Sequence, residues 1–228
     1  MLVDEIWRYP VKSMGGERVD AVDVDEHGIR GDRAWGLFDP ATAMVLTARR
    51  EPALLFLSAR LVDGRPVITC DAGRELAGDD ALSAWMGRPV VLRPASAGPA
   101  TFENPLDAEH ETDWVSWQST GGTYHDGGSK ISFVSRRELG DWDPRRFRIN
   151  LILAGADGDP PAGEVAVGTA TLRVRRPIDR CVMVTRAQPG LPADRSLLGR
   201  LIRERGNRLG TGATVATPGT IAVGDRFG

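Results

Sequence analysis

The chain of 228 residues is 41% apolar and 26% charged, which is enough hydrocarbon for a substantial core and excludes a disordered chain. Its 29 basic and 31 acidic residues leave a net charge of -2, so the charge balance gives no reason to expect nucleic acid or an anionic membrane as partner. The best candidate for a membrane span, ALLFLSA at 53–59, falls far short of about 20 residues, and two cysteines in a chain of this size suit an intracellular protein, so a cytoplasmic protein is expected.

The opening MLVDEIWRYP carries Asp4, Glu5 and Arg8 where a secretory signal would be apolar. Runs at 2–8, 19–25, 33–38 and 43–48 hold β-branched or aromatic residues bounded by Gly, Pro and Asp, and predict strands. Corners are expected at His27-Gly28 and Asp39-Pro40. ARLVDGRPVIT sets Asp63-Gly64 between two apolar arms and predicts a hairpin. DDALSAWM predicts a short helix with Asp79 or Asp80 as cap, Leu82, Trp85 and Met86 on one face, and Gly87 as its stop. RPASAGPATFENP, over 93–105, is rich in Pro, Ala and Gly without periodicity, and predicts a domain boundary near 97 that separates 1–96 from 97–228.

Beyond that point ISFVS at 131–135 and INLILAG at 149–155 predict buried strands, and GTATLRVRRP at 168–177 a half-exposed one. SRRELGDW suits one helical turn. ADRSLLGRLIRERG predicts the one long helix, with Leu197, Leu198, Leu201 and Ile202 as its apolar stripe and Gly206 as C-cap. Two strands around PGTIAVGD close the chain. The fold class expected from this order is mainly β with some α (α+β), a barrel or strongly curved sheet carrying few helices. The six tryptophans are expected in the core.

All basic residues except Lys12 and Lys130 are arginine. Arg175, Arg176 and Arg180 precede Cys181, and nearby guanidinium groups favour a thiolate, the form that binds metal or attacks an electrophile. A lone cysteine beside a strand is equally a small buried hydrophobe. Zinc is poorly supported, because His27, His110 and His125 are scattered and no CxxC exists; two cysteines cannot hold an iron–sulfur cluster. A hydrolase using His125 and Asp126 would need geometry that sequence does not supply. A metal carried inside an organic cofactor needs one protein ligand and a docking site of its own. YPVKSMGGE offers donors for a phosphate in Lys12, Ser13 and glycine-exposed amides. GIRGDRAW, LTARREP and RRFRIN add Arg30, Arg33, Thr47, Arg49, Arg50, Arg148 and Asn150, and Ser129 lies in YHDGGSK.

The order YPVKS, GDRAW, LTARREP, RRFRIN, RCVMVT and PGTIAVGD, from about Ile6 to Asp225, resembles the MOSC family. It is similar in particular to proteins with an N-terminal MOSC β-barrel region packed on a C-terminal MOSC β-barrel domain, including those that reduce amidoximes. The resemblance implies a molybdenum cofactor (molybdopterin with Mo) between the two parts, ligated by Cys181, with Lys12, Ser13, Arg33, Arg49, Ser129, Arg148 and Asn150 around it. It implies reduction of N-hydroxylated substrates with electrons from a separate donor protein. Asp179 stands where the family has a small hydroxyl residue, and is a candidate proton carrier. A sulfur-carrier or non-catalytic cofactor-binding module is the alternative. Pyridoxal phosphate, associated with the larger sulfurase of the family, would need Lys12 or Lys130.

Overall fold

The computed structural model describes residues 1–107, 112–119, 121–155 and 162–228. The first half contains β1 (Leu2–Arg8), β2 (Glu17–Val19), β3 (Ala21–Asp25), β4 (Gly28–Ile29) and β5 (Trp35–Phe38). There follow β6 (Leu57–Val62), β7 (Arg65–Cys70), α1 (Gly78–Met86) and β8 (Val91–Pro94). β9 (Thr101–Asp107) and β10 (Thr112–Gln118) pair only with each other as strands. The second half contains β11 (Ile131–Ser135), α2 (Arg136–Leu139), β12 (Leu151–Ala154), β13 (Glu164–Val167) and β14 (Ala170–Asp179). It ends with α3 (Ser196–Arg205), β15 (Arg208–Thr217) and β16 (Gly219–Ala222). The expected mainly β architecture with few helices is what the chain adopts, and no helix among the described residues is long and apolar enough to cross a membrane.

The central sheet has the order β13-β14-β15-β11-β12-β1-β2. Only β11 and β12 run parallel, and α2 lies in the crossover between them. β12 reads Leu-Ile-Leu-Ala without alternation because both of its faces are covered. Leu151 and Leu153 enter one core with Phe133, Leu172 and Phe227, while Ile152 enters another with Leu198 and Leu201 of α3. α3 carries the expected apolar stripe and stops at Gly206, which holds the left-handed φ of 58°.

β1 sits inside this sheet, antiparallel to β12, and β3 pairs with β16 near the chain's end. The expected divide near 97 falls in a 3-10 turn, Ala95–Ala97, and one core joins Val3, Ile6 and Val24 to Ile131 and Ile221 across it. A second core, around Val11, Leu37, Leu54, Leu57 and Leu82, belongs to the first half but is touched by Met183.

Several local expectations give way. Residues 43–48 form no strand: Val45 bridges Phe38 and Met44 bridges Thr101, so single residues pair with different partners. α1 is capped by no side chain, because Asp79 instead accepts a hydrogen bond from the Leu92 amide at 2.9 Å. The stretch 93–105 holds the last two residues of β8, the turn and most of β9, which leaves the expected boundary near 97 inside the turn; Pro105 is tolerated because that hairpin has no third strand. All six tryptophans are half-buried; five lie at the margins of the cores, and Trp114 lies under the Arg50 guanidinium. The Asp63-Gly64 hairpin forms as expected, with both residues at positive φ.

Candidate functional site

Five loops, among them the one between β5 and β6 that brings Arg49, and one strand end converge on a cavity of about 870 Å³ between the halves. The loop after β1 brings Lys12 and Ser13; its backbone is tied to β5 where the Lys12 amide donates to the Trp35 carbonyl at 2.8 Å. The loop between β4 and β5 brings Arg33. The segment before β11 brings His125, Asp126 and Ser129, and is stitched to the first half by Tyr124 N–H donating to the Arg33 carbonyl at 2.8 Å. The turn before β12 brings Arg148 and Asn150, and the end of β14 leads into Arg180 and Cys181. Ser13, Arg33 and Arg148 hold positive φ of 70°, 48° and 52°. Such backbone costs on the order of 1–3 kcal/mol per residue and survives only where the surroundings over-determine it.

The pairing beneath Arg33 explains that restraint. Asp32 is fully buried and accepts from the Tyr9 amide at 2.7 Å and from the Arg33 guanidinium. Arg33 also donates to the Arg148 carbonyl at 2.8 Å. The Tyr9 ring lies between Arg33 and Arg148, whose guanidinium carbons stand 4.8 and 4.4 Å from its centroid. Burial keeps the Tyr9 hydroxyl well above its ordinary pKa. Arg148 has no carboxylate partner among the described residues, and burial with Arg33 nearby pushes it down to about 10. It still carries its charge at neutral pH.

On the opposite wall Lys12, only 5% exposed, donates to the Tyr124 carbonyl at 2.9 Å and to Asp126. Arg49 reaches the other Asp126 oxygen at 2.5 Å. Burial opposes the charge on Arg49, yet Asp126 and the Cys181 sulfur, both hydrogen-bond neighbours, hold its pKa above the ordinary value. One Arg49 nitrogen, Nη1, is buried without a partner. Burial raises the Asp126 pKa, but Lys12 and Arg49 together hold the carboxyl far below its usual range. His125 is pressed well below its ordinary pKa by burial and by Arg33, Lys130 and Lys12, so its imidazole is neutral. Its Nε2 lies 3.5 Å from Asp32 and makes no hydrogen bond.

Cys181 is partly exposed and lines this cavity, whereas Cys70 lies in the first-half core. Arg49, from the other half of the chain, is an electrostatic neighbour of its sulfur. Arg180, expected to activate the thiol by adjacency, lines the cavity too and interacts electrostatically with the sulfur, but its hydrogen bonds go to the carbonyls of Phe147 at 2.9 Å and Leu209 at 2.9 Å. Asn207 closes on the Arg180 backbone at both N–H and C=O. Arg180 therefore fixes the strand end that presents the cysteine.

Of the residues singled out from the sequence, Thr47 and Lys130 do not line this cavity; Cys181, Asp179, Lys12, Ser13, Arg33, Arg49, Ser129, Arg148 and Asn150 do. They differ in what they have left to give a ligand. Asn150 is 1% exposed and its amide is spent on Ser132 and the Trp7 carbonyl, so it braces β1 against β11 and β12. Ser13 accepts from the Ala48 amide and keeps its proton to donate. Ser129 is packed so closely that a Cβ on Gly212 would fall 2.1 Å from its hydroxyl. Asp179 is 63% exposed, 3.4 Å from Arg208. Arg30 and Arg50 are engaged outside the cavity, with Asp23 and Asp25 and with Glu103 and the Trp114 ring. Asp32 and the reach of Arg49 to Cys181 were not legible in the sequence; the Asp beside Arg33 was the available sign.

No group of His, Cys, Asp or Glu among the described residues could hold a metal by itself, and His110 lies outside them. A group that brings its own metal ligands and anionic charge does fit: the lining is dominated by cations, offset only by Asp126 and Asp179, with one thiol and an unpartnered guanidinium nitrogen facing it. Burial, against the pull of Asp126, brings Lys12 down to about 8, so the cavity loses one charge as pH passes that value. Sulfate affinity measured by calorimetry is expected to fall severalfold between about pH 7 and pH 9.5, and to lose that step in Lys12→Met. An unchanged slope in the variant would assign it elsewhere.

Residues 1–97 match the MOSC N-terminal beta barrel domain and residues 127–227 the MOSC domain. No curated protein matches the chain. The crystal structure of the YUAD protein from Bacillus subtilis superposes with a TM-score of 0.51 at 15% identity, covering 99% of this chain and 93% of that one. At that identity the likeness speaks for the fold alone. YiiM from Geobacillus stearothermophilus overlaps 74% of this chain and 68% of its own at a TM-score of 0.33 and 15% identity, too loosely to carry an argument.

Proposed function

The chain belongs to the MOSC family, and on that premise we propose that it is a molybdenum-cofactor-dependent reductase of N-hydroxylated compounds, with Cys181 as the metal ligand. The observation that carries this reading is a partly exposed thiol opening on an inter-half cavity of arginines and lysine, Arg49 among them. Held by Cys181 and the cationic lining, the cofactor would supply two-electron redox chemistry to the cavity.

The protein's own work is binding, orientation and charge. Arg49 lines the same cavity as the Cys181 thiol and brings a positive charge to it. Arg33, Arg148 and Lys12 are donors for the anionic cofactor; Asp126 fixes Lys12 together with Arg49, and Asp32 fixes Arg33. Reducing N–OH to N–H consumes two electrons and two protons and releases water. Lys12 is the cavity's ionisable donor nearest neutrality. The electrons come from a separate donor protein, since the chain's two cysteines cannot hold a cluster.

A second reading, a sulfur carrier with persulfide on Cys181, draws on the same observation, because the cationic lining that suits an anionic cofactor also suits a bound persulfide anion. Protein made in a molybdenum-competent host separates the two. Stoichiometric molybdenum with reduction of benzamidoxime by reduced methyl viologen is the expected result. Metal-free protein with cyanolysable sulfur on Cys181 would replace the reductase with the carrier, and metal without turnover would leave a binding module.

A further inference from the structure

β14 loses its register with β15 between Val174 and Pro177, so consecutive residues Arg175 and Arg176 are released from the alternation of the strand. Both are exposed and both line the cavity. Neighbouring arginines on the same surface are neutralised: Arg173 meets Glu164 at 2.7 Å and Arg208 meets Asp179 at 3.4 Å. Arg175 and Arg176 have no carboxylate partner among the described residues. Two adjacent like charges repel unless an anion lies between them, and here they do so at the wall of a cavity whose floor is already cationic. From Arg176 to Cys181 is five residues of chain, at most about 17 Å when extended. A ligand reacting near the thiol would place its far end at these guanidinium groups.

We propose that Arg175 and Arg176 form an anion subsite at the cavity mouth, which selects substrates carrying a carboxylate or phosphate on the end away from the reacting N–OH group. This rests on the cavity being the reaction chamber. The pair's exposure and its distance along the strand assign it to the substrate; the cofactor's own charge falls to the more buried Lys12, Arg33, Arg49 and Arg148.

The test compares benzamidoxime with 4-carboxybenzamidoxime on protein loaded with molybdenum cofactor, using calorimetric affinity and kcat/KM with an artificial donor. The carboxylate is expected to raise affinity about tenfold at low salt and less at 1 M salt. In the double variant Arg175→Ala/Arg176→Ala the affinity ratio of the two compounds should collapse towards one, and in Arg175→Glu/Arg176→Glu it should invert. Equal affinities in the unaltered protein, or a preference that survives both variants, would overturn the subsite. A double variant that lost its molybdenum would assign the pair to the cofactor, and overturn it as well. Anion preference without turnover of either compound would sink the reductase reading while the subsite stands.

Discussion

Asp32→Ala is expected to lower the unfolding free energy by about 3–5 kcal/mol, the usual consequence of removing one partner from a buried charge pair. The carboxylate is fully buried and holds two things at once: the Tyr9 amide and the Arg33 guanidinium. Without it the Tyr9 N–H loses its partner, and Arg33 faces Arg148 across the Tyr9 ring with no counter-charge beneath. For a chain of this length that loss lowers Tm by roughly 10 °C. Urea unfolding measures it directly. Asp179→Ala, which removes an exposed partner of Arg208, provides the comparison and should shift stability by less than about 0.5 kcal/mol. A loss below about 1 kcal/mol in Asp32→Ala would mean that the cationic wall is not held by this carboxylate.

Cys181→Ser should keep the fold and lose the function. The side chain is partly exposed and belongs to no core, so Tm should stay within about 1–2 °C. A serine oxygen is a harder ligand, and at neutral pH it is protonated, so molybdenum content should fall to background and turnover by about a thousandfold or more. Thiol labelling adds a readout independent of metal. Cys181 should react with a maleimide in the protein lacking cofactor and be protected once loaded, while Cys70, 6% exposed inside a core, stays unlabelled in both. A serine variant with unchanged metal and turnover would remove Cys181 from the centre.

Periodicity made the self-contained elements readable. The α3 stripe of Leu197, Leu198 and Leu201, the hairpin turn at Asp63-Gly64 and the unalternating β12 each state their burial within a few residues of sequence. The misreadings fall where a partner from elsewhere decides. Asp79 looks like a helix cap until Leu92 arrives to use its oxygen, and 43–48 looks like a strand although its residues divide their pairing between Phe38 and Thr101.

The site divides in the same way. The chain's order alone determined which side chains are candidates, since residue type and motif order are properties of the string: Lys12, Arg33, Arg49, Arg148 and Cys181 could be named from it. Tertiary structure decided what each one does. Arg180, adjacent to the cysteine, bonds backbone carbonyls, whereas Arg49, far off in sequence, meets the sulfur; Asn150 braces strands while Arg148 keeps its charge unpaired. Charge interactions fall off with distance through space, and burial strengthens them. Separation along the chain does not fix either quantity until the strands have paired.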